Sequence, residues 1–372
     1  MRKNFKYRLK SNLETFQKAE NWLSLCRQLY NNCLAERRDA YRLEKKSISQ
    51  FEQKRKLPEL KRTFPEFKQI NSQTLQDVIE RLDRAFQGFF RRVKAKQKAG
   101  LPRFKGKNRY DSFTLKQHGW KLKEKDGCLE IKNIGRFRIK LHRPIEGIIK
   151  TLTIQRKQTG KWFAIFSCDN IPEKLLPKTG KEIGIDMGCE SFLTDSNGNK
   201  IENPRFFKKS QDILVMRQQR LSRRLKGSNR RNKARLLVAK IQEKIANQRK
   251  DFHFKVANKL IRENDKIYIE KLNSFKTWRN LNRSLRDVSW FQFFSILKAK
   301  AEEAGRQIVE VLAKNTSQIC SRCGAMVPKE LSVRIHKCSC GLTIDRDWNS
   351  ALNILRLGAS LQALPEKPLT GS

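Results

Sequence analysis

Three carboxylates sit where a metal ion could collect them. Asp186 lies in IGIDMG, an apolar run that closes on a glycine, and Glu270 ends a second apolar run, KIYIE. Asp347 follows a cysteine pair at the mouth of a helix, in CGLTIDRDWNSALNIL. Hydrolysis of a phosphodiester calls for two divalent ions about 4 Å apart, one activating water and one stabilising the leaving oxygen. Magnesium takes hard oxygen ligands and keeps several waters, so a few carboxylates suffice, and manganese can stand in for it. Each acid alone also has a plainer role open to it. Asp186 could be a turn acid at a strand end, Glu270 a partner for Lys271, and either Asp345 or Asp347 a helix N-cap. A cap accounts for neither Asp186 nor Glu270. With 82 Lys and Arg against 37 Asp and Glu, acids are scarce, and acids gathered on an apolar sheet repel one another unless a cation joins them.

A second metal site is written in CSRCG and KCSCG, which supply Cys320, Cys323, Cys338 and Cys340 with fourteen residues between the pairs. Paired cysteines on tight turns, each followed by glycine (Gly324, Gly341), match a structural zinc ribbon with four thiolates closing a tetrahedron. The second pair has one intervening residue instead of two, which tightens its turn. His336 could substitute as a ligand, but four cysteines already satisfy the ion. No coordination position is left for water, so this zinc is expected to be structural. The other five cysteines (Cys26, Cys33, Cys128, Cys168, Cys189) are scattered singly and read as core packing.

The elements that must position these groups follow from periodicity. Residues 15 to 50 read as a helix carrying Phe16, Trp22, Leu25, Leu29 and Leu34. A second helix places Leu75, Val78, Ile79, Leu82, Phe86, Phe89, Phe90 and Val93 on one face, with Gly100 and Pro102 expected to stop it. From about 110 to 170 the period becomes two, with hairpins turning at Asp126-Gly127 and Thr159-Gly160, which predicts a small antiparallel barrel or sheet. Strands around Asp186 and an Asn197-Gly198 turn come next. A basic helical hairpin follows, holding thirteen Lys and Arg and one acid, Glu243, between Arg217 and Lys250. That imbalance exceeds what solubility needs and predicts phosphate contact through Arg223, Arg224, Arg230, Arg231 and Lys233. The strand ending at Glu270, an aromatic-rich helix, the strand QIVEV and the Asp347 helix complete the order. Three acids on strand ends and a helix start, in that order, fit a ribonuclease H-like nuclease core. The tail ALPEKPLTGS reads as frayed.

The formal charge of +45 over 372 residues makes a polyanion the natural partner, and nucleic acid the natural polyanion. A membrane surface fits poorly, since no basic stretch is joined to a broad apolar stripe. No run approaches a membrane span and no signal core opens the chain, so a reducing cytosol is expected. A purely structural basic zinc-ribbon protein would leave the three acids unexplained.

The ordered set GIDMG, IYIEKLN, TSQICSRCG…KCSCG and DRDWNSALNIL resembles the transposon-encoded TnpB nucleases, relatives of the type V CRISPR effectors. GLPRFKGKNRYDSFTL and KGSNRRNKARLLVAKIQEKIANQRKDF are similar to that family as well, so the likeness runs over essentially the whole chain. The resemblance implies a RuvC-type triad of Asp186, Glu270 and Asp347, with Asp347 preferred over Asp345. It implies an RNA-guided DNA endonuclease that cuts beside a short flanking motif, with a guide RNA from its own element, a double-stranded DNA target and one protein chain per RNA. The layout implied is α/β and multidomain. An oligonucleotide-binding-like barrel is split between residues 1–10 and 109–178, with a helical recognition lobe at 11–108. The nuclease domain at 179–372 carries a zinc ribbon at 315–342 and the basic hairpin at 205–262. PRFKGK adds Arg103, Phe104 and Lys105 as candidate nucleic-acid contacts, Phe104 by stacking. Ser350 departs from the family's alanine in the last helix. Two other functions share these parts. A nuclease-silent guided repressor should have lost an acid, and a transposase orders its acids Asp, Asp, Glu, with the glutamate last.

Overall fold

In the first unit, β1 (Lys3–Lys10) buries alternate residues Phe5, Tyr7 and Leu9. The computed structural model describes residues 1–271, 288–312, 315–330 and 332–363; the tail read as frayed lies outside them from residue 364 on. The chain divides into two compact units, Met1–Pro172 and Glu173–Ser372.

Asn12 caps α1 (Leu13–Glu44), its side chain accepting from the Thr15 N–H. That helix ends earlier than the expected residue 50, because Lys45 turns left-handed (φ 54°) and its N–H closes on Ala40 and Tyr41. Two short helices, α2 (Gln50–Arg55) and α3 (Leu57–Thr63), lead to α4 (Ser72–Lys94). Leu75, Val78, Ile79 and Leu82 are buried as the spacing requires, while Phe90 and Val93 lie exposed. The helix stops short of Gly100, since Lys96 adopts a left-handed conformation (φ 51°).

Six strands follow: β2 (Ser112–Leu115), β3 (Trp120–Lys123), β4 (Cys128–Ile131), β5 (Gly135–Ile139), β6 (Ile148–Arg156) and β7 (Trp162–Asp169). They form a seven-stranded antiparallel sheet in the order β2-β6-β7-β1-β5-β4-β3. The first strand therefore lies mid-sheet, with Phe5 opposite Phe166 and Leu9 opposite Ile139, and the helices are an insertion between it and the rest. Gly127 and Gly160 adopt positive φ at the hairpin turns, where a Cβ is disfavoured. Cys26, Cys33 and Cys168 are buried in this core, and burial pushes the Cys26 and Cys33 thiols up to about 12. They are packing groups.

The second unit is built on β8 (Glu182–Met187), β9 (Ser191–Asp195), β10 (Lys200–Glu202), β11 (Lys266–Glu270) and β12 (Gln307–Val311), in the order β10-β9-β8-β11-β12. β8, β11 and β12 run parallel, and β9 and β10 are antiparallel extensions. The helices are α5 (Phe206–Ser222), α6 (Asn229–Glu263), α7 (Trp290–Ala304) and α8 (Arg346–Ala363), the last preceded by a small ribbon of β13 (Ile335–Lys337) and β14 (Thr343–Asp345). Parallel strands covered on both faces are apolar throughout. One face, Ile183, Ile185, Ile267 and Ile269, packs on Val256, Leu260, Phe293 and Leu297 of α6 and α7. On the other, Tyr268 and Val311 pack with Ile354 of α8. Among the described residues, no helix is long and apolar enough to cross a membrane.

Close approach sets the position of α8. A Cβ at Gly184 would collide with the Ala351 carbonyl and come within 2.7 Å of the Leu355 nitrogen; one at Gly358 would fall in the Tyr268 ring. We expect Gly184→Ala to cost ~2 kcal/mol or more, as overpacking against backbone does, read as a lowered denaturation midpoint. An unchanged midpoint would mean that α8 can ride further off the sheet.

Candidate active site and metal centre

β8 and β11 pair in parallel with a fixed offset, ending at Ile185 opposite Ile269. One residue past that last pair, β8 carries Asp186 and β11 carries Glu270, on neighbouring strands about 4.8 Å apart. The third acid comes from the N-terminal turn of α8, which packs across β8. Ser350, one turn after Asp347, touches Asp186 directly through Oγ to Oδ1 at 3.0 Å. Trp348 fastens the same turn by donating its indole N–H to the Ser196 carbonyl at 3.0 Å, with Gly198 against the ring.

The structure separates Asp345 from Asp347. Asp345 Oδ1 accepts the N–H groups of Asp347 (3.0 Å) and Trp348 (3.1 Å), and its Oδ2 pairs with Lys200 Nζ at 2.6 Å. Burial opposes its ionisation, yet Lys200 and the Trp348 N–H hold it below the usual carboxylate range. Asp345 is the helix cap, so Asp347 is the acid left to face Asp186. Asp347 Oδ1 takes a two-pronged ion pair from its neighbour, Arg346, at 3.0 Å to both nitrogens.

The other two acids both act on Asp186. Asp186 is pushed up to about 8, first by removal from water, then by the negative charge of Asp347, with a smaller push from Glu270; Ser350 and Arg346 pull the other way. Burial also raises Glu270. Acids held in this way shed their protons when a divalent cation arrives. Among the described residues, the carboxylates do not form a cluster whose ligand atoms all lie within 4.8 Å of one another. Their hard oxygens suit Mg²⁺ or Mn²⁺, and their wider spacing suits a pair of ions with waters completing each shell.

The four cysteines do form such a cluster, with all sulfurs within 4.8 Å of one another. Cys320 and Cys340 Sγ are 3.7 Å apart, and Cys323 and Cys338 Sγ 3.5 Å. Thiolates about 2.3 Å from a zinc ion form a tetrahedron with edges of about 3.8 Å, so the donor set fits. Each pair sits on a turn whose glycine takes positive φ, 79° at Gly324 and 85° at Gly341. Gly324 N–H closes on the Cys320 carbonyl at 2.9 Å and Gly341 N–H on that of Cys338 at 3.0 Å. The shortened second pair still makes its knuckle. Burial opposes ionisation of Cys320, but the N–H groups of Cys323 and Arg322, aided by His336, bring it down to about 5. The Leu342 N–H favours a Cys340 thiolate, yet desolvation and the other three sulfurs push that thiol up to about 11. Four sulfurs cannot share so small a space as thiolates without a cation. His336 is fully buried against Cys320 and belongs to the shell around the sulfurs.

Asparagines tie this knuckle to the helix of Asp347. Asn349 and Asn353, four residues apart, both donate to the carbonyls of Thr316 and Ile319, just before Cys320. Asn349 Oδ1 accepts the Ser321 N–H at 2.9 Å. Reading for metal ligands alone missed both; their i, i+4 spacing on one helix face was the available signal.

The basic hairpin is α5 and α6. Arg220, Arg224, Arg230 and Lys233 line a cleft of about 330 Å³ floored by Ala234 and Leu237. Arg223 is exposed. Arg231 also braces the turn: its Nη1 donates to the Leu221 and Arg224 carbonyls at 2.9 and 2.6 Å. In the first unit, Arg103 and Phe104 are exposed, and Lys105 is pinned to α1 by paired backbone bonds with Asn31 at 2.8 and 3.0 Å. Phe104 stacks under the Arg38 guanidinium at 5.4 Å.

A mixed sheet with acids near adjacent strand ends, a helix bringing a third and a cysteine knuckle clamped to that helix define an α/β protein that shares its fold with a solved Cas12f1 protein. The protein of a cryo-EM Cas12f1–sgRNA–target DNA complex superposes with a TM-score of 0.57 at 16% identity, covering 92% of this chain and 82% of that one. Residues 166–280 match the IS605 OrfB family, described as "Probable transposase", and 290–354 the Cas12f1-like TNB domain. Residues 1–46 match a model described as a helix-turn-helix domain, although this segment is one strand and one long helix here. The chain is 31% identical to a Streptomyces pristinaespiralis protein named "Putative RNA-guided DNA endonuclease", over 98% of this chain and 91% of that one. It is 28% identical to InsQ of Escherichia coli K12, which carries the same name, over 99% of this chain and 95% of that one. The chain belongs to the OrfB/TnpB family.

Proposed function

We propose that this chain is an RNA-guided DNA endonuclease of an insertion sequence, and that Asp186, Glu270 and Asp347 form its RuvC-type catalytic centre. The observation that supports this reading is electrostatic: the charges of Asp347 and Glu270 both raise Asp186, which stands one residue past the last pair of the parallel β8–β11 register. Two Mg²⁺ ions bound there would supply an activated water and charge neutralisation at the leaving oxygen. The chain's own contribution is to hold three half-buried carboxylates near one another on β8, β11 and the start of α8. Arg346 neutralises Asp347 while they are otherwise unscreened. Cys320, Cys323, Cys338 and Cys340 would hold a structural Zn²⁺.

In this reading residues 1–10 and 109–178 are the oligonucleotide-binding-like wedge, whose antiparallel sheet lies in the first unit. Residues 11–108 are the recognition lobe, and residues 179–372 the nuclease domain. Arg220, Arg223, Arg224, Arg230, Arg231 and Lys233 would grip phosphates of the guide RNA or its heteroduplex, with Arg103, Phe104 and Lys105 as a second contact. Sequence reading is left to base pairing, and the protein holds backbone and a flanking motif.

Purified protein is expected to carry a discrete RNA with a variable 3′ segment, and with Mg²⁺ to cut a duplex that matches this segment. Random cellular RNA and no cutting would favour a coating protein. A discrete RNA with tight duplex binding but no cutting would favour the repressor.

A further inference from the structure

Ser350 carries an oxygen that the three-carboxylate reading leaves without a role. It lies inside α8 and is 1% exposed. Serines within helices commonly turn the hydroxyl back to the carbonyl four residues earlier. Two others here do so: Ser295 donates to the Phe291 carbonyl and Ser360 to that of Arg356, at 2.8 and 2.9 Å. Ser350 instead reaches out of its helix to Asp186 Oδ1 at 3.0 Å, with Thr316 Oγ1 on its other side at 3.1 Å. A hydroxyl has one proton. Given to the carboxylate, it leaves the Ser350 lone pairs to accept from Thr316. Thr316 is buried too, and its backbone carbonyl is held by Asn349 and Asn353. Alanine at this position would pack without the cost of burying a polar group. The hydroxyl chain therefore runs from the turn that leads into the knuckle, through α8, to the carboxylate at the end of β8.

We propose that Ser350, braced by Thr316, is a positioning residue that fixes the rotation of the Asp186 carboxyl group and so tightens divalent-cation binding there. The proposal rests on the reading of Asp186 as a metal ligand. One oxygen is held by the serine, and the cation meets a carboxylate already oriented. Loss of a hydrogen-bond partner behind a metal ligand typically costs 10- to 100-fold in metal affinity.

The test is a Mn²⁺ titration of the RNA-free full-length protein by electron paramagnetic resonance, with zinc content measured in each sample. Ser350→Ala is expected to weaken Mn²⁺ binding roughly tenfold, and to raise the Mg²⁺ concentration for half-maximal cutting by a similar factor, with zinc unchanged. Thr316→Val is expected to act in the same direction by roughly threefold, and serves if Ser350→Ala is insoluble. Asp186→Asn is run alongside. Native Mn²⁺ affinity in both hydroxyl variants, with binding lost in Asp186→Asn, overturns the positioning role alone. Native affinity in Asp186→Asn as well overturns the ligand reading beneath it. Weaker Mn²⁺ binding accompanied by loss of zinc would assign the effect to the knuckle and also overturn the proposal.

Discussion

Asp186→Asn is expected to lower cutting by about a thousandfold or more while leaving guide RNA and duplex binding intact, and to make the Mg²⁺-free protein more stable. The second half follows from the electrostatics. In the folded chain Asp186 gives up its proton only near pH 8, whereas in the unfolded chain it does so near the ordinary aspartate value of about 3.9. Between those limits the folded state binds the extra proton, so stability falls as pH rises. The penalty is absent near pH 4, grows through neutrality and levels off above pH 8, where it reaches several kcal/mol by order of magnitude. Asparagine cannot ionise and keeps an oxygen for the Ser350 hydroxyl. Its melting temperature should match that of the native chain near pH 4 and exceed it at pH 8 in Mg²⁺-free buffer with zinc retained. Added Mg²⁺ should narrow the gap, since only the native chain gains by binding it. Cutting at the native rate by the variant would remove Asp186 from the site. Parallel melting curves across pH would remove the burial argument.

Sequence and structure agree most closely where one face of an element decides everything. The strand IGIDMG could be read because parallel strands buried on both sides are apolar throughout, which leaves a single acid conspicuous at the end. The α4 face from Leu75 to Leu82 was readable because its apolar spacing follows the helix period. The choice between Asp345 and Asp347 was not open to such a reading, since two carboxylates beside a helix start can both cap it. The deciding partner, Lys200, is 145 residues away and reaches Asp345 only through the sheet. Ser350 had the same difficulty: a serine in place of alanine looks conservative until Asp186 and Thr316, 164 and 34 residues distant, are seen on its oxygen. In the basic hairpin, composition predicts that arginines face a polyanion but cannot show that Arg231 also braces its own turn, with its Nη1 on two carbonyls there.

Cys320→Ser is expected to remove zinc, to lower soluble yield sharply and to disable the carboxylate site at the same time. Four thiolates on a structural zinc contribute on the order of 10 kcal/mol of apparent binding energy at neutral pH, and in a small knuckle that energy is folding energy. Cys320 is the one fully buried cysteine of the four, so serine would leave a buried hydroxyl as well as an incomplete tetrahedron. The knuckle does not unfold in isolation. Asn349 and Asn353 hold its entry turn at the Thr316 and Ile319 carbonyls, and they stand on the helix whose first turn carries Asp347. Losing that turn frees the helix start and leaves both asparagine side chains buried without acceptors for their amide N–H groups, a cost of about 1–3 kcal/mol for each unsatisfied group. Zinc removal by a chelator, with Mg²⁺ restored afterwards, should therefore stop cutting even though no carboxylate has changed, and returned zinc should bring it back. A zinc content of one ion per chain in the serine variant would refute the ligand set. Full cutting by zinc-free protein would refute the coupling between knuckle and carboxylates while leaving the ligand set standing.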